Sequence, residues 1–198
     1  MSLEGRPKCL TVSRITPHRN IDSIILSVRK LVEKLPETML YIVGAPVHTP
    51  LDRAERSYPM KVSRLIEDTG VQNNVRLLGA LRGDALWQFY SACDIFLYAS
   101  SYDNFGFALL EAAYFGLPIV STDVGIASEL IKDGKGGRIV SRNDPDEIAV
   151  AAEEILSNPK LGGSMSEYLR NEARNYTIEK NCQQYIDLYE GLCHSRMR

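Results

Sequence analysis

The stretch IFLYASSYDNFGFALLEAAYFGLPIVS, residues 95–121, carries the fold in miniature. Its first four residues, Ile95 to Tyr98, form a short apolar run with strand character, and Pro118 to Ser121 form another. Between them a polar turn leads into apolar residues of helical spacing over 106–116, which Gly116 ends. Strand, turn, helix and strand in so short a span make a βαβ unit, which requires the two strands to run parallel. The same alternation continues outward. It predicts strands at Cys9–Ser13, Met39–Val43 and Val75–Leu78 upstream and at Arg138–Val140 downstream. Between the first two, Ile21, Ile24, Ile25, Val28, Leu31, Val32 and Leu35 recur three or four apart, so this helix has one face to pack on the sheet. Further helices are expected at 59–69, 84–93 and 125–132. Another starts at Asp144, with Pro145 at its first position and Glu147 closing a capping box. Proline and charge between His48 and Tyr58 suggest a long loop after the second strand. From about Lys160 to residue 195 the pattern is helix followed by helix, with Cys182, Tyr185, Ile186, Leu188 and Tyr189 apolar on the last. The fold class is α/β, an open, Rossmann-like parallel β-sheet with helices on both faces.

At 198 residues and 44% hydrophobic content, one domain over 1–198 with a single buried core is expected. The first five residues have the character of an expression scar, and a strand so near the start is that of a domain excised from a longer protein. A formal charge of -2 supplies no basic field for nucleic acid or anionic lipid, so any phosphate must be held locally. Cys9, Cys93, Cys182 and Cys193 form no C-x-x-C pair and read as reduced thiols of a cytoplasmic protein. No apolar run reaches the roughly 18 to 20 residues of a membrane span, and the first residues lack the apolar segment of a signal peptide. His18, His48 and His194 show no metal-ligand spacing, and His18 is expected at the surface. Neither G-x-G-x-x-G nor G-x-x-x-x-G-K-[ST] occurs, which argues against a dinucleotide-dependent dehydrogenase and a P-loop ATPase.

Three local features carry candidate chemistry. Glu111 is the lone charge on an almost entirely apolar helix, and a carboxylate there is costly unless it reaches water or a partner. It either faces a ligand or forms, with Tyr114, a narrow solvated strip. The turn Asp103-Asn-Phe-Gly106 presents main-chain N–H groups at a helix N-terminus, and Gly106 admits a ligand close to the backbone. Such an end suits a phosphate, and it also suits an ordinary Asx-type cap. In Ser13-Arg-Ile-Thr-Pro-His-Arg-Asn20, Arg14 and Arg19 bracket the turn after the first strand, at the carboxyl edge of the sheet. Two guanidinium groups there either neutralise a diphosphate, as Mg²⁺ does elsewhere, or stand solvated in a loop.

At these residues the chain resembles the retaining GT-B glycosyltransferases of group 1, which use nucleotide sugars. The resemblance runs in order through Arg14 and Arg19, Ile42-Val-Gly44, Asn74-Val-Arg-Leu-Leu-Gly79, Leu86 to Ala92, Asp94 to Ser101, Asn104-Phe-Gly-Phe107, Glu111 and Gly116 to Gly125. It implies one nucleotide-sugar-binding half of a GT-B architecture. Arg14 and Arg19 would stabilise the leaving diphosphate, with Arg19 where the family usually has lysine. Glu111 would bind the ribose hydroxyls, and the backbone at Arg76 and Leu77 would meet the base. Gly44, Asp103, Asn104, Phe105, Gly106 and Phe107 would complete the donor site. Asp103, eight residues before Glu111, stands where the family usually has the glutamate that contacts the donor sugar, and its side chain is shorter by about 1.5 Å, one C–C bond. Asn20 replaces a usual glycine. The resemblance implies a UDP-, GDP- or ADP-sugar as substrate, no cofactor and no metal. It also implies an N-terminal acceptor domain not present here and peripheral membrane association of the full enzyme. Such a half is expected to bind nucleotide but to transfer sugar poorly alone. Two other readings remain: a related sugar-nucleotide epimerase or phosphorylase domain, and a non-catalytic nucleotide-binding or partner module.

Overall fold

The computed structural model describes residues 3–46, 53–141 and 144–195. Six strands, β1 (Lys8–Val12), β2 (Met39–Val43), β3 (Val75–Leu77), β4 (Ile95–Tyr98), β5 (Ile119–Thr122) and β6 (Gly137–Val140), form one sheet in the order β3-β2-β1-β4-β5-β6. Every pairing is parallel. All six strands expected from the sequence are present, each with its ends within a residue or two. They were legible because a parallel sheet is covered on both faces, so its strands are continuous short apolar runs.

Alternation along each strand divides the core in two. Cys9, Leu40, Ile42, Ile95 and Leu97 point to one face, where they meet α1 (Ile21–Lys34), α2 (Arg53–Asp68) and α6 (Pro145–Leu156). Leu10, Tyr41, Val43, Phe96 and Tyr98 point to the other, against α3 (Asp84–Ala92), α4 (Phe107–Phe115), α5 (Ala127–Leu130) and α7 (Pro159–Ala173). Ile21, Ile24, Ile25, Val28 and Leu31 of α1 are all buried, as their spacing requires. Each fully buried side chain of this size contributes about 1.5–3 kcal/mol, which makes that stripe the main attachment of α1. Lys30 and Lys34, on its solvent side, pair with Asp146 and Glu153 of α6. The last helix, α8 (Ile178–Ser195), carries Tyr185, Ile186, Leu188 and Tyr189 exposed.

Two expectations are corrected by the fold. The stretch read as loop up to Tyr58 is helical from Arg53, and Pro59 lies inside α2 rather than at its start. Tertiary contact decides this: Tyr58 is buried, and its hydroxyl donates to Asp22 Oδ1 at 2.7 Å while accepting from the Asp22 N–H at 3.2 Å. His48 and the rest of 47–52 lie outside the described residues. The helix expected over 125–132 is only α5 followed by a 3-10 turn at Lys132–Gly134. Its run ends because the chain must turn back toward β6, and Gly136 passes so close that a Cβ there would lie 2.3 Å from the Leu130 carbonyl oxygen.

Asn20 shows how a residue with a side chain fits the turn after β1. It adopts the left-handed conformation, φ 48° and ψ 46°, between a 3-10 turn at Pro17–Arg19 and α1. Asparagine tolerates that region better than other residues with a side chain. Its amide nitrogen donates to the Ala99 carbonyl and to Ser101 Oγ, both at 2.8 Å, tying the turn to the segment after β4. Asn20→Gly should keep the backbone and lose these two bonds, costing about 1–2 kcal/mol. Asn20→Ala should lose the bonds and add left-handed strain, costing about 1 kcal/mol more. Urea unfolding of both variants checks the order.

Candidate functional site

Strand order reverses between β1 and β4, because the chain leaves β1 toward β2 and leaves β4 toward β5. Loops that diverge at such a point open a crevice at the carboxyl edge, where open α/β sheets bind ligands. Here that edge is formed by the segments after β1, β4 and β5, and hydrogen bonds join them. The Ser101 N–H donates to the His18 carbonyl at 2.8 Å, and Thr122 Oγ1 donates to the Ser100 carbonyl at 2.6 Å. The Ile126 N–H donates to the Phe105 carbonyl at 2.9 Å. Gly125 allows that last approach: a Cβ on it would lie 2.2 Å from the Phe105 oxygen, and its φ is +55°.

The cluster at this edge is built around Arg19, whose side chain is 13% exposed. Its Nη1 donates to Asp103 Oδ2, Tyr98 Oη and Ser100 Oγ. Its Nε is buried without a hydrogen-bond partner among the described residues. Tyr98, at the end of β4 with its ring against Phe96, also donates its hydroxyl to Asp103 Oδ2 at 2.5 Å. Asp103 Oδ1 accepts from the main-chain N–H groups of Phe105 and Gly106 at 3.3 and 3.0 Å. Burial acts to raise the Asp103 carboxyl. Hydrogen bonds from Tyr98 and Arg19, with the Arg19 charge, outweigh it and hold the carboxyl below the usual carboxylate range. Burial and the bond to Asp103 push the Tyr98 hydroxyl well above the usual range, so it stays protonated.

The turn Asp103–Gly106 delivers the chain into α4, as its sequence suggested. Gly106 is the left-handed N-cap, φ 83°, and no side chain caps the first turn of α4. Asn104 and Phe107 are exposed, and Phe105 is half-buried with its ring 4.8 Å from that of Phe107. Glu111, half-buried on α4, does not stand in a free solvated strip: its Oε2 accepts from the Tyr90 hydroxyl at 2.8 Å. Tyr114 beside it is exposed. Arg14 is exposed at the carboxyl end of β1. Gly44, after β2, lies against the Ser13 carbonyl, where a Cβ would be at 1.7 Å, and its N–H donates to Gly79. Arg76 and Leu77 are on the edge strand β3, paired with Tyr41 and Ile42. Arg19 and Asp103 are therefore brought into contact, with Arg14 on the same loop. His18 is half-buried rather than at the open surface. Sequence reading missed Tyr98 and Ser100, which look like the end of a buried strand, and Tyr90, which looks like helix core. Among the described residues no group of three His, Cys, Asp or Glu is arranged to hold a metal ion, and no helix is long and apolar enough to cross a membrane.

The order β3-β2-β1-β4-β5-β6 with helices on both faces defines a Rossmann-like α/β domain. Residues 2–185 match the family "Glycosyl transferases group 1", and the chain belongs to that family. It is 28% identical to a D-inositol 3-phosphate glycosyltransferase of Corynebacterium urealyticum over 91% of this chain and 42% of the relative. To a trehalose synthase of Pyrococcus horikoshii it is 30% identical over 94% of this chain and 44% of the relative. It thus spans less than half the length of these curated relatives. Anabaena HepE, solved in complex with UDP, superposes with a TM-score of 0.83 at 20% identity, over 94% of this chain and 49% of that one. The C-terminal domain of a group 1 family glycosyl transferase from Francisella tularensis gives 0.76 at 20% identity, over 88% of this chain and 87% of that one. The fold is that of a GT-B glycosyltransferase domain.

The Asp103 carboxyl also predicts an acid response. A folded pKa below the unfolded value, about 3.9 for aspartate, gives stability that is present above that value and lost as pH falls through the folded pKa. Asp103→Asn should therefore show a shallower loss of stability as pH falls below about 4 than the parent protein. Urea unfolding at a series of pH values measures both slopes.

Proposed function

We propose that this chain is the donor-binding domain of a retaining glycosyltransferase, which transfers a sugar from a nucleotide sugar to an acceptor hydroxyl. The observation that carries the reading is Arg19, 13% exposed and held by Asp103 of the turn that leads into the uncapped first turn of α4. A guanidinium held at one end and still partly exposed offers charged donors in a fixed geometry, and a diphosphate oxygen is an acceptor of the right charge for them. Arg14, on the same loop, adds a second cation from the solvent side. As the glycosidic bond breaks, negative charge gathers on the departing diphosphate. Fixed guanidinium groups and the dipole of α4 stabilise it there. Positive charge from two arginines does the task a metal would do, so binding should be unaffected by EDTA.

The other donor contacts follow from position. Glu111 lies on α4 downstream of the phosphate turn, where its carboxylate would accept from ribose hydroxyls. The backbone of Arg76 and Leu77 at the sheet edge would meet the base, with Gly44 keeping the adjoining loop close to β1. The donor sugar would rest on the turn from Asn104 to Phe107. Relatives more than twice as long supply further residues, and in this reading those hold the acceptor. Four free thiols, two of them buried, suit the reducing cytoplasm.

Calorimetry with UDP, GDP and ADP in turn tests the site. One of the three should bind, and Arg14→Ala and Arg19→Ala should each weaken it by about tenfold or more, as loss of a charged hydrogen bond implies. No binding by the parent protein, or unchanged affinity in both variants, would remove the diphosphate from these arginines. Glu111→Gln still offers Tyr90 an acceptor, so the fold should persist. This variant should bind the ribonucleotide and its 2′-deoxy form alike, whereas the parent should prefer the former. Equal preference in parent and variant would take the ribose away from Glu111. With a radiolabelled nucleotide sugar and mixed acceptors, these 198 residues should show little transfer. Placing two reactants in attack geometry accounts for about 7–11 kcal/mol of barrier, and one wall of a cleft cannot do it.

A further inference from the structure

We propose that Asp103 serves in this chain as the clamp that fixes the Arg19 guanidinium, and that it is not a ligand of the donor sugar. The proposal rests on the reading that Arg19 meets the diphosphate. An ionised carboxylate offers about four acceptor directions, two on each oxygen. Asp103 has four donors: the Phe105 and Gly106 N–H groups on Oδ1, and Tyr98 and Arg19 on Oδ2. Its accepting capacity is used, and none remains for a sugar hydroxyl.

None of the four donors is easily released. The two N–H groups set the turn that enters α4, and Gly125 holds that turn from behind by packing against the Phe105 carbonyl. Tyr98 is 4% exposed, with its ring in the core beside Phe96, so its hydroxyl cannot swing to another acceptor. A hydroxyl has one proton to give, and Tyr98 gives it to Asp103 while accepting from Arg19. Arg19, Tyr98 and Asp103 thus close a ring of three hydrogen bonds. Releasing Arg19 would leave two largely buried opposite charges apart, the costliest change of all.

The clamp also decides what Arg19 can do. All three of its protein bonds leave from Nη1, which shares two hydrogens among Asp103, Tyr98 and Ser100. One end of the fork is held, and Nε remains without a protein partner. Lysine, a point charge with rotatable donors, could not be held at one end while presenting a fixed second donor. The arginine at 19 and the short acid at 103 are complementary: the long cation reaches a carboxylate kept back against its own turn. Selection among donor sugars then falls to the main chain and side chains of 104–107.

Two measurements test the proposal, one of them free of ligand. In ¹⁵N NMR of the Arg19 guanidinium without nucleotide, rotation should be slow in the parent protein and fast in Asp103→Asn. Slow rotation in the variant overturns the clamp. In calorimetry, Asp103→Asn and Tyr98→Phe should weaken a nucleoside diphosphate by about five- to tenfold, the scale of one charge-assisted bond, and its sugar conjugate by the same factor. In an Arg19→Ala background, Asp103→Asn should add nothing, since its effect acts through Arg19. A loss confined to the sugar conjugate makes Asp103 a sugar ligand and overturns the proposal, as does unchanged or tighter binding of the diphosphate. If the parent protein binds no nucleoside diphosphate while the NMR contrast is present, the donor-site reading fails and the clamp stands.

Discussion

A parallel sheet cannot present either face to water, and its strands cannot be joined by hairpins, so each connection must cross over and carry a helix. In this chain that constraint puts α1, α2 and α6 on one face and α3, α4, α5 and α7 on the other. The crossing direction changes once, between β1 and β4. At that seam the outgoing loops part, and main-chain groups and side chains at the strand ends are left without the cover they have elsewhere. Every part of the proposed donor site follows from the seam: the turn after β1 with its two arginines, the turn after β4 with its acid, and the bare N-terminus of α4.

A gap of this kind would be mobile if the loops were joined only at their strands. Backbone bonds between His18 and Ser101 and between Phe105 and Ile126, with Asn20 holding Ala99 and Ser101, join the loops directly. Two left-handed residues serve these contacts, Gly125, which packs against the Phe105 carbonyl, and Asn20. Rigid support matters for the proposed mechanism, since a charge stabilises a developing negative charge best if it need not move to do so. The Arg19–Tyr98–Asp103 ring is the inner layer of that support, and the loop bonds are the outer one.

Three residues that the resemblance marks as unusual lie together in the fold. They are arginine at 19, asparagine at 20 and aspartate at 103. In the fold they sit on two loops that touch. Asn20 takes the left-handed conformation and adds two bonds to the segment after β4. Aspartate keeps both oxygens close to its own turn, and arginine spans the remaining distance.

The strands, the α1 stripe, the Asp144 cap and the two-helix ending were all written in the sequence. Each depends on local periodicity or on a capping residue, and burial on both faces makes parallel strands plain. Arg14, Arg19, Asp103, Gly106 and Glu111 could be singled out because charge and glycine are conspicuous where an apolar element ends. The start of α2 could not be read, since it depends on Tyr58 reaching Asp22 on another helix. Nor could the roles of Tyr98 and Tyr90, aromatic residues whose rings belong to the core and whose hydroxyls emerge beside Asp103 and Glu111. Sequence fixes which groups are present and how elements are spaced. Which acceptor each donor meets is a matter of partners about 80 residues apart, as Arg19 and Asp103 are, and only the packed sheet brings those together.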